Sequence, residues 1–182
     1  MIRYRGPTDA RMNALARAIF DIAMLRLGPE DLPASRFLLR MSLIAYVVLG
    51  AIGTAFYVSG PVELLAQTAL DLILVFGFFG LLLSLNRKSA RLQQTMTAVL
   101  GTGSLLYLVR LPLDLWLDAL PEGAPATVPA LLMLLLAVWS IIITGHILNR
   151  ALEIPFLGGI VLGVAFFVIN IAAYAALFPA VN

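Results

Sequence analysis

The stretch VELLAQTALDLILVFGFFGLLLSL, Val62 to Leu85, decides the architecture. It lies between Gly60-Pro61 and the polar run Asn86-Arg87-Lys88, and past Glu63 its only charged residue is Asp71. A helix of this length at 1.5 Å per residue outreaches a hydrocarbon core of ~30 Å. Its apolar residues cover every face, whereas a helix at a soluble surface keeps a polar one. The segment therefore reads as a membrane-spanning helix.

Working outward, four more blocks have the same character. Arg40 to Ser59 precedes it, and Thr95 to about Leu120 follows, ending at Pro121-Glu122-Gly123. Thr127 to Leu148 runs to Asn149-Arg150, and Ile154 to Phe178 runs to Pro179. The expected fold is an all-α polytopic transmembrane bundle with spans at about 40–59, 62–85, 95–120, 127–148 and 154–178. Residues 1–38 form a separate interfacial segment and 39–182 the membrane domain. Composition agrees, with 62% hydrophobic and 12% charged residues in 182, a mean hydropathy of +1.00, and no room for a further soluble domain.

The first segment carries its own helical signal. From Thr8 to Leu27, apolar residues at Met12, Leu15, Ile19, Phe20, Ala23, Met24 and Leu27 follow a 3.6-residue period, with Gly28-Pro29 as a stop. Arg11, Arg17 and Arg26 lie largely off that stripe, and Arg17 and Asp21 stand at i,i+4. The helix suits either the membrane interface, with its arginines on anionic headgroups, or packing against the bundle. Arg17, Asp21 and Arg26 interrupt any signal-peptide apolar region, so the segment is expected to be retained.

Eleven of the twelve Lys and Arg fall in the N-terminal segment, the second loop and the fourth. The opposite side carries Glu63, Asp114, Asp118 and Glu122, with Arg110 alone among the bases and within a span. The positive-inside rule then expects a cytoplasmic N-terminus and an outer C-terminus. The arginine-rich, lysine-poor composition points to a bacterial inner membrane.

Charges inside spans are costly and are the first candidates for function. Asp71 lies about 13 Å along its helix from Val62, and Arg110 lies at a matching depth. Consecutive helices with a short connection are expected to be antiparallel neighbours, which makes an Asp71–Arg110 ion pair geometrically possible. Glu63, Gln67 and Asp71 recur at i, i+4 and i+8, as do Arg110, Asp114 and Asp118. With Asn170 and Tyr174 these stripes could meet in an outward-facing polar vestibule, which Pro112 could open by kinking its helix. The alternatives are a pair that fixes helix register and a site for a proton, ion or small solute.

Other chemistry is expected to be absent. Zero cysteines exclude disulfides, thiolate metal sites and a catalytic cysteine. His146 has no second histidine or cysteine for a metal, and no cofactor is expected. Gly101-Thr102-Gly103-Ser104 lacks the lysine and the preceding strand of a phosphate loop, and reads as a helix contact. No G-x-S-x-G, H-E-x-x-H or paired-aspartate protease motif occurs, so catalysis is not expected. A net charge of +2 gives no reason to expect nucleic-acid binding. Gly159 and Gly163 form a small-xxx-small face, with Gly50/Gly53 and Gly77/Gly80 as further flat patches, for packing within the chain or in a homo-oligomer.

Five spans, compact loops and a fourth span leading through Trp139-Ser140 to a glycine-rich fifth resemble the Yip1-type membrane proteins over about Phe37 to Phe178. That family's D-L-Y-G-P sequence and glycine-tyrosine pair do not occur here, and no functional residue is carried over. The resemblance implies a non-enzymatic scaffold or adaptor that works through a membrane or cytoplasmic partner or through membrane organisation. The alternative is a small transporter or channel built around Asp71 and Arg110.

Overall fold

The computed structural model describes residues 7–121 and 123–178, with side chains from residue 15 onward. It is all-helical among these residues: α1 (Pro7–Ala23), α2 (Arg36–Thr54), α3 (Pro61–Leu85), α4 (Leu92–Asp118), α5 (Thr127–Leu152) and α6 (Phe156–Leu177). Helices α2 to α6 are each long and apolar enough to cross a membrane. Arg11, Glu122 and Pro179, which figured in the sequence reading, lie outside the residues whose side chains are described.

The helix boundaries depart from hydropathy where local chemistry sets them. Helix α2 starts at Arg36 rather than Arg40, because Ser35 caps it by accepting from the Leu38 N–H at 3.4 Å. It stops at Thr54 rather than Ser59, since extended Gly60 and Pro61 at the first helical position already launch α3. Glu63 supports that start by accepting from the Ser59 N–H at 3.0 Å. Helix α3 ends as expected, with Arg87 left-handed (φ 57°) and Lys88 N–H closing on the Leu83 carbonyl at 2.8 Å. After one 3-10 turn, α4 starts at Leu92, before the expected Thr95, and continues through Pro112 to Asp118. Helix α5 runs on past Leu148 to Leu152, where left-handed Glu153 (φ 57°) stops it.

Helix α1 is shorter than its pattern predicts. It ends at Ala23 because Leu25 turns left-handed (φ 61°), and the next N–H groups fold back onto Asp21 and Ile22 carbonyls. Asp21 consequently pairs with Arg26 at 3.6 Å rather than with Arg17 one turn earlier. Of the two placements open to α1, the part of its apolar face at Ile19, Ile22 and Ala23 takes the bundle, while Phe20 and Met24 stay exposed. Ile22, Ala23 and Leu32 are buried with Ala98 of α4 and with Ile143 and Ile147 of α5.

Helix α4 is the axis of the molecule, touching α1, α2, α3 and α5. Small side chains make this possible. A methyl at Gly101 would collide with the Ile19 side chain of α1, and one at Gly103 would meet the Tyr46 ring of α2 at 2.5 Å. The glycine-rich run is a helix contact on two sides. Its hydroxyls stay within the helix, Thr102 donating to the Ala98 carbonyl at 2.8 Å and Ser104 to the Leu100 carbonyl at 2.7 Å.

Helices α5 and α6 approach most closely at glycines. A methyl on Gly159 would run into the Gly145 carbonyl, and one on Gly163 would sit 2.9 Å from the Ile141 carbonyl. The face formed by Gly159 and Gly163 is thus occupied inside the chain. Gly50 packs under Tyr107, whereas Gly77 and Gly80 have nothing within 4 Å. Elsewhere Val62, Leu65, Ile73, Leu134, Leu157 and Val161 stand exposed in the apolar outer belt.

The two ends differ in packing. At one end, which gathers Arg36, Arg40, Arg87, Lys88, Arg91 and Arg150, the interior is dense: Val75, Phe79, Leu83, Met96, Leu100 and Leu148 form one cluster. Phe166 adds edge contact to Phe79, ring centroids 5.5 Å apart. The connector between α1 and α2 is tied down there. His146 bonds the Leu27 carbonyl (2.8 Å), Gln94 donates to the Leu32 carbonyl (2.6 Å), and Arg150 pairs with Glu30 (2.5 Å). Lys88 (2.5 Å) and Arg91 both hold Glu153. The opposite end carries Glu63, Asp114 and Asp118.

Candidate functional site

Between the helices lies a cavity of about 550 Å³ to which every one of α2 to α6 contributes, reaching from Tyr57 and Tyr174 near the acidic end to Val99 and Ile147 in the basic half. Its polar wall includes Gln67 and Asp71 from α3, Arg110 from α4, and Asn170 and Tyr174 from α6. These are residues that the sequence picks out as a polar vestibule, and the fold brings them to one space. Asp118 is exposed at the end of α4 and takes no part.

The expected Asp71–Arg110 pair is absent. Arg110 Nε instead donates to Asp114 Oδ1 on its own helix at 3.2 Å. Tyr57 Oη donates to the same oxygen at 2.6 Å, and the Arg110 guanidinium stands over the Tyr57 ring, 5.3 Å from its centroid. An i,i+4 partner lies on the same helix face by construction, whereas an interhelical pair needs two helices to match in depth and rotation. Asp114 is 2% exposed, and its second oxygen, Oδ2, has no hydrogen-bond partner among the described residues. Burial, then the bond to Asp114, raises the Tyr57 phenol above its ordinary pKa, so it stays a donor.

Asp71 is left facing tyrosines. It shares a cleft with Tyr46 of α2, Tyr107 of α4 and Tyr174 of α6. The Tyr46 and Tyr107 rings meet edge to face, centroids 5.3 Å apart. Tyr174 Oη donates to the Gln67 carbonyl at 3.0 Å, fastening α6 to α3, and Gln67 donates to Glu63 at 3.1 Å. Asn170 Nδ2 makes one long bond, 3.5 Å, to the Phe166 carbonyl. Hydropathy reading passed over Tyr46, Tyr57 and Tyr107 because a tyrosine in an apolar run looks like core. Their spacing from Asp71 or Asp114 in the chain gives no signal, since all the contacts cross between helices.

The rest of the wall is apolar or weakly polar, with Leu106, Met133, Leu136 and Phe167 beside Thr102, Ser140 and Thr144. Toward the basic end the lining reaches Val75, Val99 and Ile147, of which Val75 belongs to the cluster around Phe79 and Ile147 to the cluster around Ile22. No group of three or more His, Cys, Asp or Glu able to hold a metal occurs among the described residues. No family model, no curated protein and no solved structure matches the chain.

Proposed function

We propose that the protein binds a small solute within the bundle and moves it between the membrane interior and the aqueous phase at the acidic end. The observation that carries this reading is the chamber itself. Its ~550 Å³ falls within the range of small-molecule sites, and such sites have mostly apolar walls with a few convergent polar groups. A register-fixing ion pair needs no chamber. The orientation that the bases favour puts the basic end in the cytoplasm of a bacterial inner membrane, and the polar wall of the chamber toward the outer side.

The experiment is flux in proteoliposomes loaded separately with tetraethylammonium, phenylacetate or the pH dye pyranine. Flux of at least one of cation, anion or proton above protein-free liposomes, lost in Ser140→Trp, which fills the chamber from α5, is the expected result. Absence of protein-dependent flux in all three would contradict transport.

A second reading has its own observation. Arg17 and Arg26 are exposed beside the basic end while the α1 face between them is docked. This supports association with anionic lipid headgroups or a partner protein, as the Yip1-type resemblance implies. Charge reversal at Arg11 and Arg17 should strip co-purifying anionic lipid without altering the melting of the bundle. Unchanged lipid content would remove this reading.

A further inference from the structure

The chamber's charge balance narrows what it accepts, granted that it is a solute site. Asp71 and Arg110 are the charged residues among those that line it. Arg110 is already engaged by Asp114 and Tyr57, so that group is close to neutral as a unit. Asp71 has no cationic partner among the described residues. When ionised it leaves the chamber with one uncompensated negative charge, and a half-buried carboxylate among apolar helices is stabilised by a counter-charge.

The surroundings say what kind. Tyr46 of α2, Tyr107 of α4 and Tyr174 of α6 line the cleft with Asp71; Gln67 lies one turn away on α3. Aromatic faces attract cations and repel anions. A bare metal ion is a poor match, because hard cations require six or more oxygen ligands at fixed distances and no acidic group of that size is present among the described residues. A proton alone leaves the chamber volume without use. The apolar wall at Leu106, Met133 and Leu136 fits a hydrocarbon body attached to the charge.

We propose that the chamber binds a monovalent organic cation with an apolar body, an amphipathic amine, whose ammonium pairs with Asp71 among the tyrosines. The Arg110–Asp114–Tyr57 group cancels its own charge. It braces the chamber without competing for the ligand.

Three congeners that differ only in the head group separate the possibilities: 4-phenylbutylamine, 4-phenylbutanol and 4-phenylbutyrate, titrated calorimetrically into protein in lipid nanodiscs with empty nanodiscs as blank. The amine should bind saturably and more tightly than the other two. Asp71→Asn should weaken the amine by about thirtyfold or more while leaving the alcohol within about threefold. Asp71→Glu should restore part of the preference. The head-group ranking in the unaltered protein stands even where a variant folds poorly. Saturable binding of the alcohol or the butyrate at equal or higher affinity would overturn the cation assignment and leave the solute site standing. Saturable binding of none of the three would overturn both.

Discussion

Asp114 sits almost fully buried with one oxygen accepting from two donors and the other from none. Removing a donor exposes it further. Tyr57→Phe should destabilise the folded protein by about 1–3 kcal/mol, read as a drop in melting temperature in detergent. Arg110→Gln and Asp114→Asn should be strongly non-additive, the double variant losing less than the sum by about 0.5–3 kcal/mol. Additive losses would dissolve the pairing. At the basic end, hydrogen bonds from Lys88 and then Arg91, with their charges, hold the fully exposed Glu153 below the usual carboxylate range. Stabilisation of this junction is therefore complete above the ordinary carboxylate pKa of about 4.3 and is lost as pH falls through the lower folded value. Melting curves taken down through that window should show a small extra loss in the natural protein that Glu153→Gln lacks. At this scale the sequence was readable where cost marks a residue. Asp71, Arg110, Asp114, Gln67 and Asn170 stand out because polar groups in apolar runs are expensive. Their partners were not readable, since choosing between Asp71 and Asp114 for Arg110 depends on helix rotation, which hydropathy does not encode.

Elements meet here through small residues, so the packing prediction concerns glycine. Gly101→Leu occupies the slot that receives Ile19 and should release α1 from α4, costing about 1–3 kcal/mol. Faster proteolysis between Ala23 and Leu32 would report the release. Gly159→Leu should do comparable damage to the α5–α6 contact, whereas Gly77→Ala meets open space and should be neutral or slightly stabilising. Equal effects at all three would mean that these glycines do not set the helix spacing. The small-xxx-small pattern of Gly159 and Gly163 was legible as a close-packing face, but not whether it faces within the chain or a second copy. The Gly145 backbone opposite decides that, and nothing in the local pattern announces it. The end of α1 was missed for a similar reason: periodicity carries on to Leu27, and a left-handed Leu25 leaves no mark in composition.

Across the whole molecule, buried clusters toward the basic end support a chamber whose charged lining residues, Asp71 and Arg110, lie toward the acidic end. The five apolar blocks made the bundle legible, because length and hydropathy alone set a spanning helix. A cavity is a property of how five helices lean together, and no single block contains it. The charge asymmetry also predicts orientation: with single cysteines at Ser89 and Ala124, an impermeant thiol reagent on intact cells should label Ala124→Cys and spare Ser89→Cys. The reverse would invert the chamber in the membrane. Accessibility of the chamber to water is the claim on which the functional reading stands. In this cysteine-free chain, Ser140→Cys lines it and Val168→Cys lies on the exposed face of α6. Rates of modification by a small charged methanethiosulfonate, measured in nanodiscs, test the claim most directly. Ser140→Cys should react at least about tenfold faster than Val168→Cys and be protected by 4-phenylbutylamine, because only a hydrated site supports the reactive thiolate. Equal, slow modification of both positions would contradict a water-accessible solute site.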